Sequence, residues 1–131
     1  LRRMGADTTD VKMLLQSDFQ DTMAKYQIIK SARLYRQEIA IAALNTGTTR
    51  TLAAQAADEL LNVDDVDAAF VIFKTDNIMN ISARSYGELN VQLVMEELGG
   101  GGHLTMAAAQ LENETFDSVL GLLKQAIDKV R

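Results

Sequence analysis

Glycines 99 to 102 stand in an unbroken run, and the chain's only histidine, His103, follows them directly. Residues without side chains bring bare backbone N–H groups to a surface, where they form concavities that hold anions. A histidine at the edge of the run adds one or two ring N–H donors. This spacing suits the holding of a phosphate or another small anion. A second group points the same way. Ile78 to Ser85 alternates as a strand, with Ile78, Asn80, Ser82 and Arg84 on one face and Met79, Ile81 and Ala83 on the other. Arg84 with Ser82, and with Ser85 beside it, makes a candidate phosphate clamp, because the planar guanidinium fork meets two phosphate oxygens at once.

Each feature also has a plainer reading. Four glycines read equally as a helix stop and a flexible connection. Arg84 alone reads as a solvated charge at a strand end, and His103 alone as an ordinary core or surface histidine. Three points favour the ligand reading of the run. It joins a helix directly to a strand, it costs backbone entropy with no evident structural return, and the histidine follows at once. One histidine and no cysteine leave no metal site to build. Nothing supports a Ser-His-Asp arrangement. Arg33, Arg36 and Arg50 read as surface charges, and Met79, Met95 and Met106 as core filler.

The elements that must position these residues follow from periodicity and caps. Asp10 to Gln16 reads as a short helix with Val11, Leu14 and Leu15 on one side, after a stop at Gly5. Ser17 then opens a second helix by a capping-box spacing to Gln20, with Phe19, Met23 and Tyr26 as its apolar face, ending near Ala32. Glu38 to Leu44 is a strand closed by the Asn45-Thr46-Gly47 turn, Thr51 to Leu61 a helix stopped at Asn62, and Asp67 to Lys74 a buried strand. Thr75-Asp76-Asn77 turns into the Ile78–Ser85 strand. Asn90 caps a helix whose apolar face is Val91, Val94, Met95 and Leu98, and which the glycines end. Leu104 to Glu112 is a strand with three small residues, Ala107 to Ala109, and Thr115 caps a last amphipathic helix. This alternation predicts an α/β fold, a mixed sheet of about four or five strands flanked by helices.

The bulk numbers set limits. The 131 residues make one domain, with a fragment of another expected at the start. The absence of cysteine removes thiol chemistry and suits a reducing compartment. A net charge of −5 argues against a broad nucleic-acid grip, which needs a basic surface, yet allows a small anionic ligand held by local donors. No apolar run approaches the ~18 residues of a membrane span.

The stretch "SARSYGELNVQLVMEELGGGGHLTMAAAQL", Ser82 to Leu111, resembles the DHH-associated C-terminal domain of the DHH phosphoesterase family, whose signature is a glycine run plus histidine preceded by a Ser-x-Arg-Ser strand end. The resemblance divides the chain into residues 1–16, similar to the tail of the family's catalytic domain, 17–32, a linker helix, and 33–131, the DHH-associated nucleotide-binding domain. Within the family, "GGGGH" followed by "AAAQ" is most similar to the membrane-bound cyclic-di-AMP phosphodiesterases of Gram-positive bacteria.

The resemblance implies a two-lobed enzyme. A catalytic lobe binds two manganese ions, metal-activated water attacks a phosphodiester, and cyclic di-AMP is opened to pApA. It implies that Gly100, Gly101, Gly102 and His103 contact a phosphate or base, and that Arg84, Ser82 and Ser85 contact phosphate. The Asp-His-His motif of the catalytic lobe is missing here. No catalytic or metal-binding residue is therefore expected in this chain, manganese belongs to the missing half of the parent, and the chain alone is expected to be inactive. The expected partners are a cyclic dinucleotide or short oligonucleotide and the missing catalytic lobe, with a homodimer as a candidate assembly. No membrane contact is expected of this chain, read as a cytoplasmic domain of a membrane-anchored parent. Two other functions compete: an oligoribonuclease-type DHH phosphoesterase, and a non-enzymatic nucleic-acid-binding module such as the one appended to alanyl-tRNA synthetases.

Overall fold

A computed structural model of the protein describes the backbone of residues 8–45 and 47–131, and the side chains of the same residues from 18 onward. The expected stop at Gly5, the apolar side of Val11, Leu14 and Leu15, and the centre of the turn at Thr46 lie outside the described residues.

Helix α1 (Thr8–Lys30) is followed by strands β1 (Arg33–Tyr35) and β2 (Ile39–Leu44), helix α2 (Arg50–Leu61), and strands β3 (Ala68–Thr75) and β4 (Ile78–Ser85). Helix α3 (Val91–Glu97), strands β5 (Gly101–Gly102) and β6 (Met106–Glu112), and helix α4 (Phe116–Val130) complete the chain. The six strands form one mixed sheet in the order β1-β2-β3-β4-β6-β5. Only β2 and β3 run parallel, joined by the α2 crossover; every other neighbouring pair is antiparallel. The α/β class is as expected. The strand count is higher because β1 and β5 hold three and two residues, too few for alternation to reveal.

Helices cover both faces, which is why β3 reads as continuously apolar. On one face Phe70, Ile72, Met79, Ile81, Ala107 and Ala109 pack under Val91, Val94 and Met95 of α3 and Val119, Leu123 and Ile127 of α4. On the other face Ala40, Ala42, Ala69, Val71 and Phe73 pack against Ala53, Ala56, Ala57 and Leu60 of α2, with Ile28 of α1 behind them. The alanine stripe of α2 brings that helix down close to the sheet. The helix stops at Asn62 as expected, and it starts at Arg50, one residue before the expected Thr51, because Thr49 Oγ1 caps it by accepting from the Leu52 N–H at 3.1 Å. Asp76 and Asn77, both at positive φ, make the two-residue turn between Thr75 and Ile78, the geometry whose twist matches the strands.

Three expectations fail. The break at Ser17 does not occur, because α1 runs unbroken from Thr8 to Lys30 and the Ser17–Gln20 spacing lies within it. Phe19, Met23 and Tyr26 stay exposed, at 65%, 46% and 59%, since the helix docks through Ile28 near its end. Met106 is half-exposed rather than core filler, although Met79 and Met95 are buried.

A polar tether joins the two ends of the domain. Asp128 of α4 accepts hydrogen bonds from Arg36 Nε and Nη2 at 2.8 and 2.9 Å and from Tyr35 Oη at 2.8 Å. These contacts, Arg36 first, hold the Asp128 carboxyl below its ordinary value, with desolvation working the other way. A folded-state pKa below the unfolded one contributes stability above pH ~4, and that contribution is lost as pH falls through the folded value. An NMR titration of the Asp128 carboxyl is expected to give a midpoint below the usual aspartate value, and Arg36→Gln to move it back up. A midpoint indifferent to Arg36→Gln refutes the tether.

Candidate functional site

Three of the four glycines have structural reasons to be glycine. Gly99, at φ +84, ends α3 in the left-handed conformation. Its N–H bonds the Glu96 carbonyl at 3.1 Å while the Gly100 N–H bonds the Met95 carbonyl at 2.7 Å, the paired bonds of a Schellman cap. A Cβ on Gly100 would stand 2.1 Å from the Ala108 carbonyl oxygen, and one on Gly102 2.5 Å from Ala107 Cα. Gly102 also sits at φ +147. The backbone of β5 lies directly on the small residues of β6, and the run is a pinned element rather than a flexible connection. The expectation that the glycines bring no structural return is thus corrected. Gly101 is the exception. A Cβ there meets nothing within 4 Å, and its φ is not in the positive region.

Strand register shows where that open position faces. Gly101 pairs with Ala108, Ala108 with Ser82, and Ser82 with Val71, so these four share the α2 face of the sheet. The α2 helix covers Val71 and leaves Ala108 exposed. Ser82, Ala108 and Gly101 thus form a shelf of small residues beside α2. Arg84, opposite Met106, bounds it at one end, and Asn80, opposite Gln110, at the other. Rows two residues apart along a strand are separated by about 7 Å. Arg50, Phe73, Asn80, Ser82, Ala108 and Gln110 line a recess of about 80 Å³ at the Asn80 end. Asn80 is fixed there by hydrogen bonds from its Nδ2 to Thr75 Oγ1 at 2.8 Å and to the Ile78 carbonyl at 3.0 Å.

Arg84 is not the solvated edge charge of the plainer reading. It lies on a central strand with its side chain 14% exposed. Nη1 donates to the Ala83 carbonyl at 2.9 Å, and Nε lies 3.1 Å from Asp58 Oδ1 on α2. The Nε contact is an ion pair without hydrogen-bond alignment. His103 is exposed in the tight turn from β5 to β6, where its N–H bonds the Met106 carbonyl. This turn stands beside the Arg84 row. A larger hollow of about 370 Å³ lies elsewhere, with Glu38, Asp67 and Glu88 in its lining. Its Arg131 is already paired to Glu38. Those carboxylates repel an anion.

A model of the DHHA1 domain matches residues 36–129. The chain belongs to the DHHA1 domain family. It is 42% identical, over 98% of its length, to the cyclic-di-AMP phosphodiesterase PdeA of Listeria monocytogenes, and equally to the cyclic-di-AMP phosphodiesterase GdpP of Bacillus subtilis. It spans 20% of the length of each of these curated relatives. An exopolyphosphatase-related protein from Bacteroides fragilis shares its fold, with a TM-score of 0.73 at 18% identity, over 83% of this chain and 34% of the other.

In this DHHA1 domain the structure brings together Ser82, Arg84 and Gly101, with His103 close by. Gly100 and Gly102 turn their missing side chains toward β6, where a Cβ would clash with the backbone. Ser85 is on the other face, buried, its Oγ 2.9 Å from the Leu89 carbonyl and accepting from the Gly87 N–H at 3.2 Å. It ties down the loop before α3 and stands apart from the shelf. The alternation of the strand already paired Ser85 with Ala83, a signal the clamp reading passed over. Sequence reasoning also missed Arg50 and Asp58. Arg50 left a trace, since a cation in the first turn of a helix opposes the helix dipole and calls for another explanation. Among the described residues no group of three or more His, Cys, Asp and Glu could hold a metal. No described helix is long and apolar enough to cross a membrane.

Proposed function

We propose that this DHHA1 domain is the substrate-holding part of a DHH-type phosphodiesterase that hydrolyses cyclic di-AMP to pApA. The observation that carries this reading is the Ser82–Ala108–Gly101 shelf beside Arg84. Gly101 and the Ser82 hydroxyl lie in one cross-strand row there, with Arg84 in the next row, and a Cβ at Gly101 would meet nothing within 4 Å. Such a shelf receives a phosphodiester, with the guanidinium fork on the non-bridging oxygens and the low floor leaving room for the sugar. The likeness to two cyclic-di-AMP phosphodiesterases over nearly the whole chain supports the choice of ligand. The role of these residues is to bind and orient. Hydrolysis, in which water adds to phosphorus and one ester oxygen leaves with the proton, is assigned to the DHH lobe and its metal ions. The chain alone is expected to hydrolyse nothing, with or without manganese. The net charge of −5 disfavours the competing reading as a module for long nucleic acid.

The test is a titration of the nitrogen-15-labelled chain with cyclic di-AMP, pApA, AMP and a short RNA. Amide shifts centred on Gly101, His103, Ser82 and Arg84, largest for the adenine dinucleotides, are the expected result. Shifts elsewhere, or a preference for RNA that collapses with salt, would overturn the assignment in favour of the nucleic-acid module.

A further inference from the structure

The arginine that bounds the shelf does not face its ligand alone. Asp58 Oδ1 stands 3.1 Å from Arg84 Nε, and the Asp58 side chain is 60% exposed where that of Arg84 is 14% exposed. The two are held by different elements, Arg84 by the central strand β4 and Asp58 by α2. The buried Nε makes no aligned hydrogen bond. The carboxylate therefore acts on Arg84 mainly through its charge. Seen from the shelf, the pair is close to neutral, while the guanidinium N–H groups not turned to Ala83 and Asp58 can still donate hydrogen bonds to phosphate oxygens.

This matters because two kinds of phosphate meet such a site. A phosphodiester carries one negative charge. A terminal phosphomonoester carries about −1.5 to −2 near neutral pH. Beside a bare arginine the extra charge would add attraction. Beside a neutral pair it adds almost none, and the exposed carboxylate repels it. We propose that Asp58 makes the Arg84 subsite selective for a phosphodiester over a terminal phosphomonoester. This rests on the reading of the shelf as a cyclic dinucleotide site, and under that reading Asp58 favours the cyclic substrate over its linear product. Asp58 is a selectivity residue that works through Arg84 and the local field.

The experiment measures affinities of the chain for cyclic di-AMP and for pApA, in the wild type, in Asp58→Asn and in Glu59→Gln. The last is a control, since the Glu59 carboxylate faces Lys25 of α1, 3.1 Å away. Asp58→Asn is expected to shift the affinity ratio toward pApA by about fivefold, the order expected for one unit charge acting across a partly exposed site. The shift should shrink in 1 M salt, where screening acts within about 3 Å. Glu59→Gln should leave the ratio unchanged. An Asp58→Asn variant that weakens or strengthens both ligands equally, or that leaves the ratio unmoved, overturns the proposal and leaves the shelf assignment standing. Failure of the wild type to bind either ligand at the shelf overturns that assignment, and this proposal falls with it. The ratio compares two ligands on one protein, so a change in folding stability cancels from it.

Discussion

Replacing Gly100 by alanine will lower the melting temperature by roughly 10 °C, while the same replacement at Gly101, the next residue in the same run, will leave it unchanged. The new methyl at Gly100 would lie 2.1 Å from the Ala108 carbonyl oxygen and 2.7 Å from both Ala109 Cα and Cβ. None of these atoms is the end of a flexible side chain, so the hairpin must lift from β6 to admit it. Overpacking of this kind costs about 1–3 kcal/mol, occasionally more, and each kcal/mol is worth about 3–6 °C in a chain of this size. At Gly101 the methyl meets nothing, and the smaller freedom of the unfolded alanine chain offsets any minor strain. That methyl would instead stand on the shelf. Gly101→Ala is therefore expected to fold normally and bind cyclic di-AMP at least tenfold less well, roughly 1.4 kcal/mol. Calorimetry and a ligand titration on the two variants check both halves. Intact binding in Gly101→Ala removes this position from the site; an unchanged melting point in Gly100→Ala shows that the hairpin is not seated as described.

Arg84→Ala carries the second large effect. A hydrogen bond to a charged group is worth about 1.5–3 kcal/mol, so losing the guanidinium should weaken the dinucleotide by roughly 10- to 100-fold. Arg84→Lys should recover little of it, because an ammonium on a flexible stem cannot reproduce a fork fixed between β4 and α2. The loss in Arg84→Ala also includes the repulsion of an Asp58 left without its partner. The double variant with Asp58→Asn should consequently bind better than Arg84→Ala alone, a non-additivity characteristic of residues in contact. Equal affinities in the single and double variants would separate Asp58 from the site. His103→Ala is expected to cost less than Arg84→Ala, since an exposed imidazole supplies one donor in competition with water.

What could be read from the sequence was local. Caps at Asn90 and Thr115 and the Asp76-Asn77 turn are written in residue types whose preferences act within a few positions, and each appears where expected. The alternation of β4 was legible in the same way, and with it the common face of Ser82 and Arg84. The failures required knowledge of neighbours. The capping-box spacing at Ser17 is a local preference that an uninterrupted α1 overrides, and the exposed Phe19-Met23-Tyr26 stripe shows that helical periodicity names a face without naming what covers it. The glycines seemed gratuitous because their reason, the backbone of Ala107 to Ala109, lies on a separate strand. The partner of Arg84 is Asp58, 26 positions earlier on a helix, and no spacing rule connects the two.

The Schellman cap, the β5–β6 pairing and the His103–Met106 turn have a consequence for time as well as for shape. A ligand reaching this loop finds it already closed on itself by backbone hydrogen bonds. The entropy of fixing the glycines has been spent in folding. Arrival then becomes a matter of diffusion and orientation, much the same for one small dinucleotide as for another. Preferences among them will be expressed in how long each one stays.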